Sequence, residues 1–239
     1  MKIIKILILF VIIISCADRK SENEISEFDK VLGKENIATL DFLVSDFEND
    51  FLKRQYPNLD TENAYRQFLT EIRDRKFKNL KKVSQKANEK FESSDLRLEM
   101  YKFPDSAWIL VNSSFDKIES DSLRFLESPV PYVKSRHKYI NPDGTTEYTY
   151  SRNYLEIRPN ADFDSIINRE LNSAEINYIG KYMRALETIK DKSEFHSEFY
   201  EKKRALGFLY PMLADVMLLE NIDLNDKLNR RIIVLELVY

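Results

Sequence analysis

The sequence predicts a mainly α-helical protein with one central β-hairpin as a minor β component. Apolar residues recur at helical spacing before and after the middle of the chain, whereas residues 132–157 are rich in tyrosine and threonine around an Asn-Pro-Asp-Gly segment. The first fifteen residues follow a different pattern, typical of an export signal. We therefore divide the chain into a signal peptide (1–15), a tether (16–27) and a single mainly helical domain (28–239) that carries the hairpin.

The composition argues against several classes of function. The 239 residues include 37 Lys and Arg and 40 Asp and Glu, a formal net charge of −3. Nucleic-acid surfaces usually carry a clear basic excess, so we expect no nucleic-acid partner. The four glycines form none of the glycine motifs that bind phosphate or present a nucleophile. With 43% hydrophobic residues the chain can bury a core, so we expect a folded domain rather than disorder.

The N-terminal segment combines a positive start with a short apolar run. Lys2 and Lys5 precede the nine apolar residues Ile6–Ile14, too few to span a bilayer about 30 Å thick as a helix. The run ends in Ile13-Ile14-Ser15-Cys16, which resembles the lipobox of bacterial lipoproteins, with isoleucine where leucine is usual. The resemblance implies that the Cys16 thiol accepts a diacylglycerol and that cleavage before it makes Cys16 the mature N-terminus. An ordinary secretory signal with an incidental cysteine remains the alternative.

The same resemblance implies a membrane as partner, held through lipidated Cys16, and a place in the bacterial cell envelope on the periplasmic face or the outer surface. Because Cys16 is the chain's one cysteine, the exported body can form no disulfide. Residues 17–27 are polar and charged, and eleven flexible residues would span roughly 15–20 Å. The low glycine content, with abundant lysine, isoleucine, asparagine and tyrosine, is similar to that of lipoproteins from AT-rich Gram-negative bacteria.

Before the hairpin, the spacing predicts two antiparallel helices whose aromatic stripes face each other as core. The first ends near Tyr56, and Asp60 is placed to cap the second. The residues expected on the facing stripes are Ile37, Leu40, Val44, Phe47, Phe51, Tyr65, Phe68, Leu69 and Ile72. The lysine-rich stretch from Phe77 to Phe91 predicts a solvated helix. The apolar patch 107–111 could be a buried strand or a helical turn, and we expect Trp108 in the core.

The hairpin supplies our candidate contact residues. Pro142 and Gly144 fit a type I turn followed by a left-handed glycine. If Asn141 faces Thr145, two cross-strand pairs follow, which place a cation and a ring together on one face. The pairs are Lys138 with Tyr148 and Arg136 with Tyr150. Only one face of a hairpin can pack on the body, so we expect these four side chains to meet solvent or a partner such as an envelope protein or a glycan.

After Pro159 the chain returns to helical patterns. We expect a short helix over Asp162–Arg169, a longer one over Ser173–Lys190, and a third from Ser193 to Leu206 that Gly207 and Pro211 end. The apolar segment Met212–Leu219 is expected to be buried. Asp223 can cap the last segment, whose end at 232–239 could be helix or strand.

The sequence contains few of the histidine and cysteine side chains that usually bind transition metals or take part in nucleophilic catalysis. His137 and His196 are the two histidines, and lipidation consumes the one thiol, so we expect no metal site, no cofactor and no catalytic residue. Oxygen side chains from Asn141 to Glu147 faintly resemble a calcium loop, but the turn accounts for them. His196 lies in a charged helix start that we expect to be solvated. A non-catalytic interaction or binding module is our leading hypothesis; an envelope hydrolase using paired carboxylates and a small-ligand carrier are the alternatives.

Overall fold

A computed structural model describes residues 27–76, 82–110, 132–140, 144–154 and 161–239. It confirms a mainly α-helical fold with a small antiparallel component. The region treated above as one domain divides into two compact units. The helical unit comprises the described residues up to Met100 together with Asn177–Tyr239, and the sheet unit is Tyr101–Ile176. None of the helices in this part of the chain has the length and hydropathy needed to cross a bilayer.

The helical unit is built from short helices that begin at polar caps. Residues 27–32 are also helical. Asp60, Ser84 and Ser193 each accept a hydrogen bond from a backbone N–H three residues on, which confirms the expected cap at Asp60 and the expected start of a helix at Ser193. The elements are α1 (Lys34–Asp46), a π-helical stretch (Phe47–Leu52), α2 (Lys53–Gln55), α3 (Thr61–Arg73), α4 (Gln85–Glu92), α5 (Asp95–Met100), α7 (Lys181–Ile189), α8 (Glu194–Leu206), α9 (Met212–Leu219) and α10 (Lys227–Leu237).

The first two predicted helices do pack their aromatic stripes together. The ring of Phe47 stacks on Phe51 with centroids 5.3 Å apart, and lies 4.9 Å from Phe68 in an edge contact. All three side chains are at most 2% exposed. Ile37 and Val44, which were also expected on this face, lie at its half-buried margin.

Charged groups are also buried in the helical unit, where each finds its partners. The Lys203 ammonium donates to Glu236 Oε2 at 2.8 Å, and the Tyr182 hydroxyl donates to Glu236 Oε1 at 2.7 Å. Because a buried ion pair is tolerated only when its remaining hydrogen bonds are satisfied, this triad fixes how α7, α8 and α10 meet.

Two predicted helix boundaries were wrong. The helix expected over Ser173–Lys190 begins only at Lys181, because Asn177 bonds to the end of α5: its N–H donates to Met100 O and its Nδ2 to Leu98 O. Gly180 then passes so close to α5 that an added Cβ would lie 2.1 Å from Glu99 O. The cap of α10 is Asp226 rather than Asp223, whose carboxylate instead accepts the N–H of Asn225. The segment 232–239, left open between helix and strand, is helical through Leu237.

The lysine-rich stretch is less solvated than expected. Residues 77–81 lie outside the described part of the chain, and residues 85–91 of the stretch belong to α4. Lys82, however, is half-buried: its ammonium donates to Leu237 O at 2.9 Å and lies 5.1 Å from the ring centroid of Tyr210.

The sheet unit contains the predicted hairpin. Strands β2 (Ser106–Leu110), β3 (Tyr132–Ile140) and β4 (Thr146–Tyr154) form an antiparallel sheet in that order. The patch near 107–111 is therefore a strand. A two-stranded ribbon pairs β1 (Tyr101–Lys102) with β5 (Glu175–Ile176), and α6 (Phe163–Leu171) follows the hairpin. Both expected pairs are confirmed, Lys138 with Tyr148 and Arg136 with Tyr150. Gly144 has the expected left-handed φ of +83°, whereas residues 141–143 and 155–157 lie outside the described residues.

One face of this sheet packs against α6. Val133 and Ser135 are buried on β3, and Glu170 of α6 accepts hydrogen bonds from Ser135 Oγ at 2.8 Å and Asn153 Nδ2 at 2.9 Å. Because side chains alternate along a strand, Lys134, which lies between Val133 and Ser135 on β3, points to the opposite face of the sheet.

The apolar segment Met212–Leu219 was expected to be buried, and only one side of it is. Helix α9 packs on α3 through Leu213, Ala214 and Met217, whereas Met212 and Leu219 are 42% and 77% exposed. A helix that packs mainly on one neighbour buries one stripe and leaves the other in water.

This one-sided packing gives a matched pair of variants. Leu213→Asp places an unpaired charge in the core, and we expect it to lower the free energy of unfolding by about 3–5 kcal/mol. Met212→Asp changes a neighbouring exposed position and should lower it by less than about 1 kcal/mol. Denaturant titration of both variants followed by circular dichroism measures the difference. Equal losses would contradict the observed orientation of α9.

Candidate functional site

The solvent side of the three-stranded sheet collects aromatic and basic side chains, and we call it the aromatic–cationic face. Its register is set by two strand pairings: Lys134 lies between Trp108 and Arg152, and Tyr132 lies opposite Tyr154. All four contact residues predicted from the sequence lie on this face. Its members are Trp108, Tyr132, Lys134, Arg136, Lys138, Tyr148, Tyr150, Arg152 and Tyr154.

The rings of this face are open to solvent. Tyr148, Tyr150 and Tyr154 are 48%, 55% and 55% exposed. Trp108 is 42% exposed, so its prediction as a core residue was wrong. The reason is strand alternation: Trp108 lies directly opposite Lys134, on the side of the sheet that does not face α6. Its neighbours Ala107 and Ile109 pair with Ser135 and Val133 on the buried side.

The basic side chains lean diagonally across the strands onto these rings. Lys134 Nζ lies 4.7 Å from the ring centroid of Tyr150, and the guanidinium of Arg136 lies 4.9 Å from that of Tyr148. The residues directly opposite in the register are instead Arg152 and Tyr150. Diagonal neighbours on a sheet are within reach of long side chains. The cations and rings therefore form one continuous cation–π array rather than separate pairs.

Arg136 is the most constrained cation of the array. Its Nε and a terminal nitrogen donate to the two carboxylate oxygens of Asp105 at 2.8 and 3.1 Å, and it also donates to Ser106 Oγ. Hydrogen bonding to Asp105 raises the pKa of Arg136, and the same bonds lower the pKa of Asp105. This fork holds the guanidinium near the rings of Trp108 and Tyr148.

The face carries an excess of positive charge. Lys134, Lys138 and Arg152 form no ion pair with any other residue that the structure describes. The described residues of the face comprise four basic side chains and, at its edge, the carboxylate of Asp105, which together have a net charge of +3. The whole chain has a net charge of −3, which conceals this local excess.

The sequence could identify most of this face but not all of it. The hairpin pattern brings the tyrosines and basic residues of β3 and β4 together. Trp108 lies on β2, and Asp105 directly precedes this strand. Sequence reasoning missed both residues because β2 joins the face only through its pairing with β3, which is distant in the sequence. Side chains alternate between the two faces of the sheet along β3. This alternation is the signal that distinguishes the residues of this face from His137 and Tyr139, which lie on the opposite face.

Both histidines are buried rather than solvated. His137 is 3% exposed, and its Nε2 lies 3.4 Å from Glu175 Oε1. His196 is 4% exposed, which corrects the prediction of a solvated helix start, and its Nδ1 lies 2.8 Å from Ser193 Oγ. Among the described residues, no three His, Cys, Asp or Glu side chains are grouped as metal ligands would be.

The four described carboxyl groups with a shifted pKa are shifted away from what a general acid needs. A general acid needs a raised carboxyl pKa, whereas the pKa values of Asp60, Asp74, Asp105 and Asp162 are all lowered, chiefly by hydrogen bonds. Three cavities of about 490, 240 and 310 Å³ are lined by residues of the helical unit. The aromatic–cationic face contributes to none of these three cavities.

Comparisons with protein-family models, with curated proteins and with solved structures found no match to this chain. Any assignment of function must therefore come from the geometry itself.

The buried His196 makes stability depend on pH. Burial and the nearby ammonium of Lys192 lower the pKa of His196 from 6.5 to about 4. The unfolded chain therefore takes up this proton near pH 6.5 and the folded chain only near pH 4. Stability that is present above pH 6.5 is lost as the pH falls, by about 3 kcal/mol at pH 4. Asparagine can keep the contact to Ser193, so in His196→Asn this part of the pH dependence should disappear.

Urea titrations of both proteins between pH 7 and pH 4 measure this difference. Parallel pH profiles for the two proteins would show that His196 does not titrate in this way.

Proposed function

We propose that this protein is a lipid-anchored bacterial envelope protein that works as a non-catalytic binding module through its aromatic–cationic face. The observation that carries the proposal is the solvent exposure of that face: four rings that are 42–55% exposed stand among four basic side chains on one side of a sheet. Tyrosine, tryptophan and arginine are the residues that most often dominate binding energy at interfaces.

The face is also ordered before any partner binds. Cation–π contacts and the Asp105 fork hold Lys134 and Arg136 in place. Binding then costs less side-chain entropy than it would on a surface of freely rotating lysines. A face needed only for cross-strand stability would not require so many half-exposed rings, because threonine and charged pairs also stabilise exposed sheet faces.

The lipid anchor is proposed from the first sixteen residues. A positive start, a nine-residue apolar run and a small residue before the chain's one cysteine together support acylation of Cys16. Two or three acyl chains give stable anchoring, whereas a single chain binds reversibly. The binding face would then work at the surface of an envelope membrane.

The anchor is tested by a pair of substitutions at the proposed cleavage site. Cys16→Ser should move the protein from the detergent phase to the aqueous phase, because a serine hydroxyl does not replace the thiol in transfer to diacylglycerol. Ser15→Ala keeps a small residue before Cys16 and should stay in the detergent phase. Phase partitioning of cell extracts measures both. Recovery of Cys16→Ser in the detergent phase would show that another segment holds the membrane, and aqueous recovery of the wild-type protein would favour an ordinary secretory signal.

The binding function is tested by site-specific crosslinking in intact cells. A photoreactive amino acid replaces Tyr150, which is 55% exposed on the face, or Tyr178, which is 50% exposed in the helical unit. We expect an adduct of higher mass from position 150, as a discrete band for a protein partner or a smear for a polymer, and no such adduct from position 178. The same adducts from both positions, or none from position 150, would contradict a binding role for this face.

A further inference from the structure

We infer that the ligand of the aromatic–cationic face is an acidic polysaccharide. This inference rests on the proposed binding function and adds the chemical class of the ligand. It follows from the shape of the face, the arrangement of its charge and the kinds of side chain between the charges.

The shape favours an extended polymer. Sites for small molecules are concave and enclose most of the ligand, but this face is the open side of a sheet. Its longest row runs along β3 from Tyr132 to Lys138, about 20 Å at 3.3 Å per residue. A linear chain lying along this row would contact every basic residue at once.

The charge favours repeated anionic groups. Lys134, Arg136 and Lys138 alternate along β3, so their Cα atoms stand roughly 6.6–6.8 Å apart. Arg152 pairs with Lys134 in the adjacent strand and widens the row. Among the described residues, a carboxylate neutralises Arg136 but none of the other three cations, so each of these can meet an acidic group of the ligand.

The side chains between the cations favour sugars over an acidic peptide. The half-exposed rings of Trp108, Tyr148 and Tyr150 offer flat surfaces on which a sugar ring can stack, and the phenols can bond to sugar hydroxyls. Peptide recognition usually relies on a sheet edge, a groove for a helix, an aromatic groove for a polyproline segment, or a cluster of arginines for an acidic motif. The middle of an open sheet face offers none of the first three. Of its two arginines, Arg136 is already paired with Asp105.

A membrane surface is a poorer fit. Amphipathic elements that lie in a bilayer bury leucine, phenylalanine and tryptophan side chains. Three of the four rings that are 42–55% exposed on this face are tyrosines, whose hydroxyls suit a hydrated ligand better than acyl chains.

Trp108 provides the measurement. It is the chain's one tryptophan and lies on the face, so its fluorescence reports binding there without a label. The protein without its first sixteen residues is titrated with polygalacturonate, and we expect a saturable change in emission that weakens at high salt. Dextran, which is neutral, should cause little change. Polyglutamate, single-stranded oligothymidylate and phosphatidylglycerol vesicles represent the other polyanions.

Two sets of variants locate the contact. Lys138→Gln with Arg152→Gln removes two cations that hold no ion pair with a described residue, and should weaken polygalacturonate binding about tenfold. Lys34→Gln with Arg204→Gln makes the same charge change at exposed positions of the helical unit and should leave the affinity unchanged. Tyr150→Ala should weaken binding, whereas Tyr178→Ala should not. Circular dichroism confirms that each variant is folded.

The outcomes separate this inference from the proposed function. Polygalacturonate binding that exceeds binding to the other polyanions, and that both face variants weaken, supports the inference. Equal or stronger binding to polyglutamate, oligothymidylate or vesicles overturns it, as does the absence of polygalacturonate binding. If the Tyr150 adduct forms in cells but is a protein, the binding function stands and the polysaccharide is wrong. If no adduct forms and no polymer binds, both proposals fail.

Discussion

The register between β3 and β4 is the constraint on which the candidate site depends. Side chains alternate between the two faces of a sheet, so a shift of one residue would exchange the faces of a strand. Arg136 would then turn toward α6, where Ser135 and Val133 now lie buried. The left-handed Gly144 at the end of the turn is compatible with only a few loop geometries, and in this way a local backbone preference sets the order of rings and cations on the whole face.

The opposite side of the sheet is held by polar contacts as well as by burial. Among the described residues of the sheet unit, Val133 and Ile176 are the larger aliphatic side chains that are buried, whereas the helical unit has many. Glu170 compensates by joining α6 to both β3 and β4 through Ser135 and Asn153. Hydrogen bonds to a charged group are stronger than neutral ones, and they also fix orientation. A sheet anchored from one side can leave its other side fully available to a ligand.

What the sequence could predict follows the range of the interactions involved. The hairpin register, the cap at Asp60 and the facing aromatic stripes of the first two predicted helices depend on neighbouring residues or on periodicity, and these predictions were confirmed. The errors at Trp108, His196 and Ser173–Lys190 share a different cause. Each depends on a contact with a distant part of the chain: pairing of β2 with β3, burial beside Asn229 and Asp226, and hydrogen bonds to the end of α5.

The charge of the face also depends on how the residues are arranged and cannot be read from the composition of the chain. A net charge of −3 argues against a polyanionic partner when it is averaged over 239 residues. Electrostatic attraction between exposed groups, however, decays over a Debye length of about 10 Å at 0.1 M salt, so a ligand responds to the charges near it. Among the described residues, four basic side chains and one carboxylate lie together on this face, although acidic residues are in excess over the whole chain. An acidic protein can therefore present a basic surface, and the strand pairing that assembles this surface is what makes a polyanionic ligand physically reasonable.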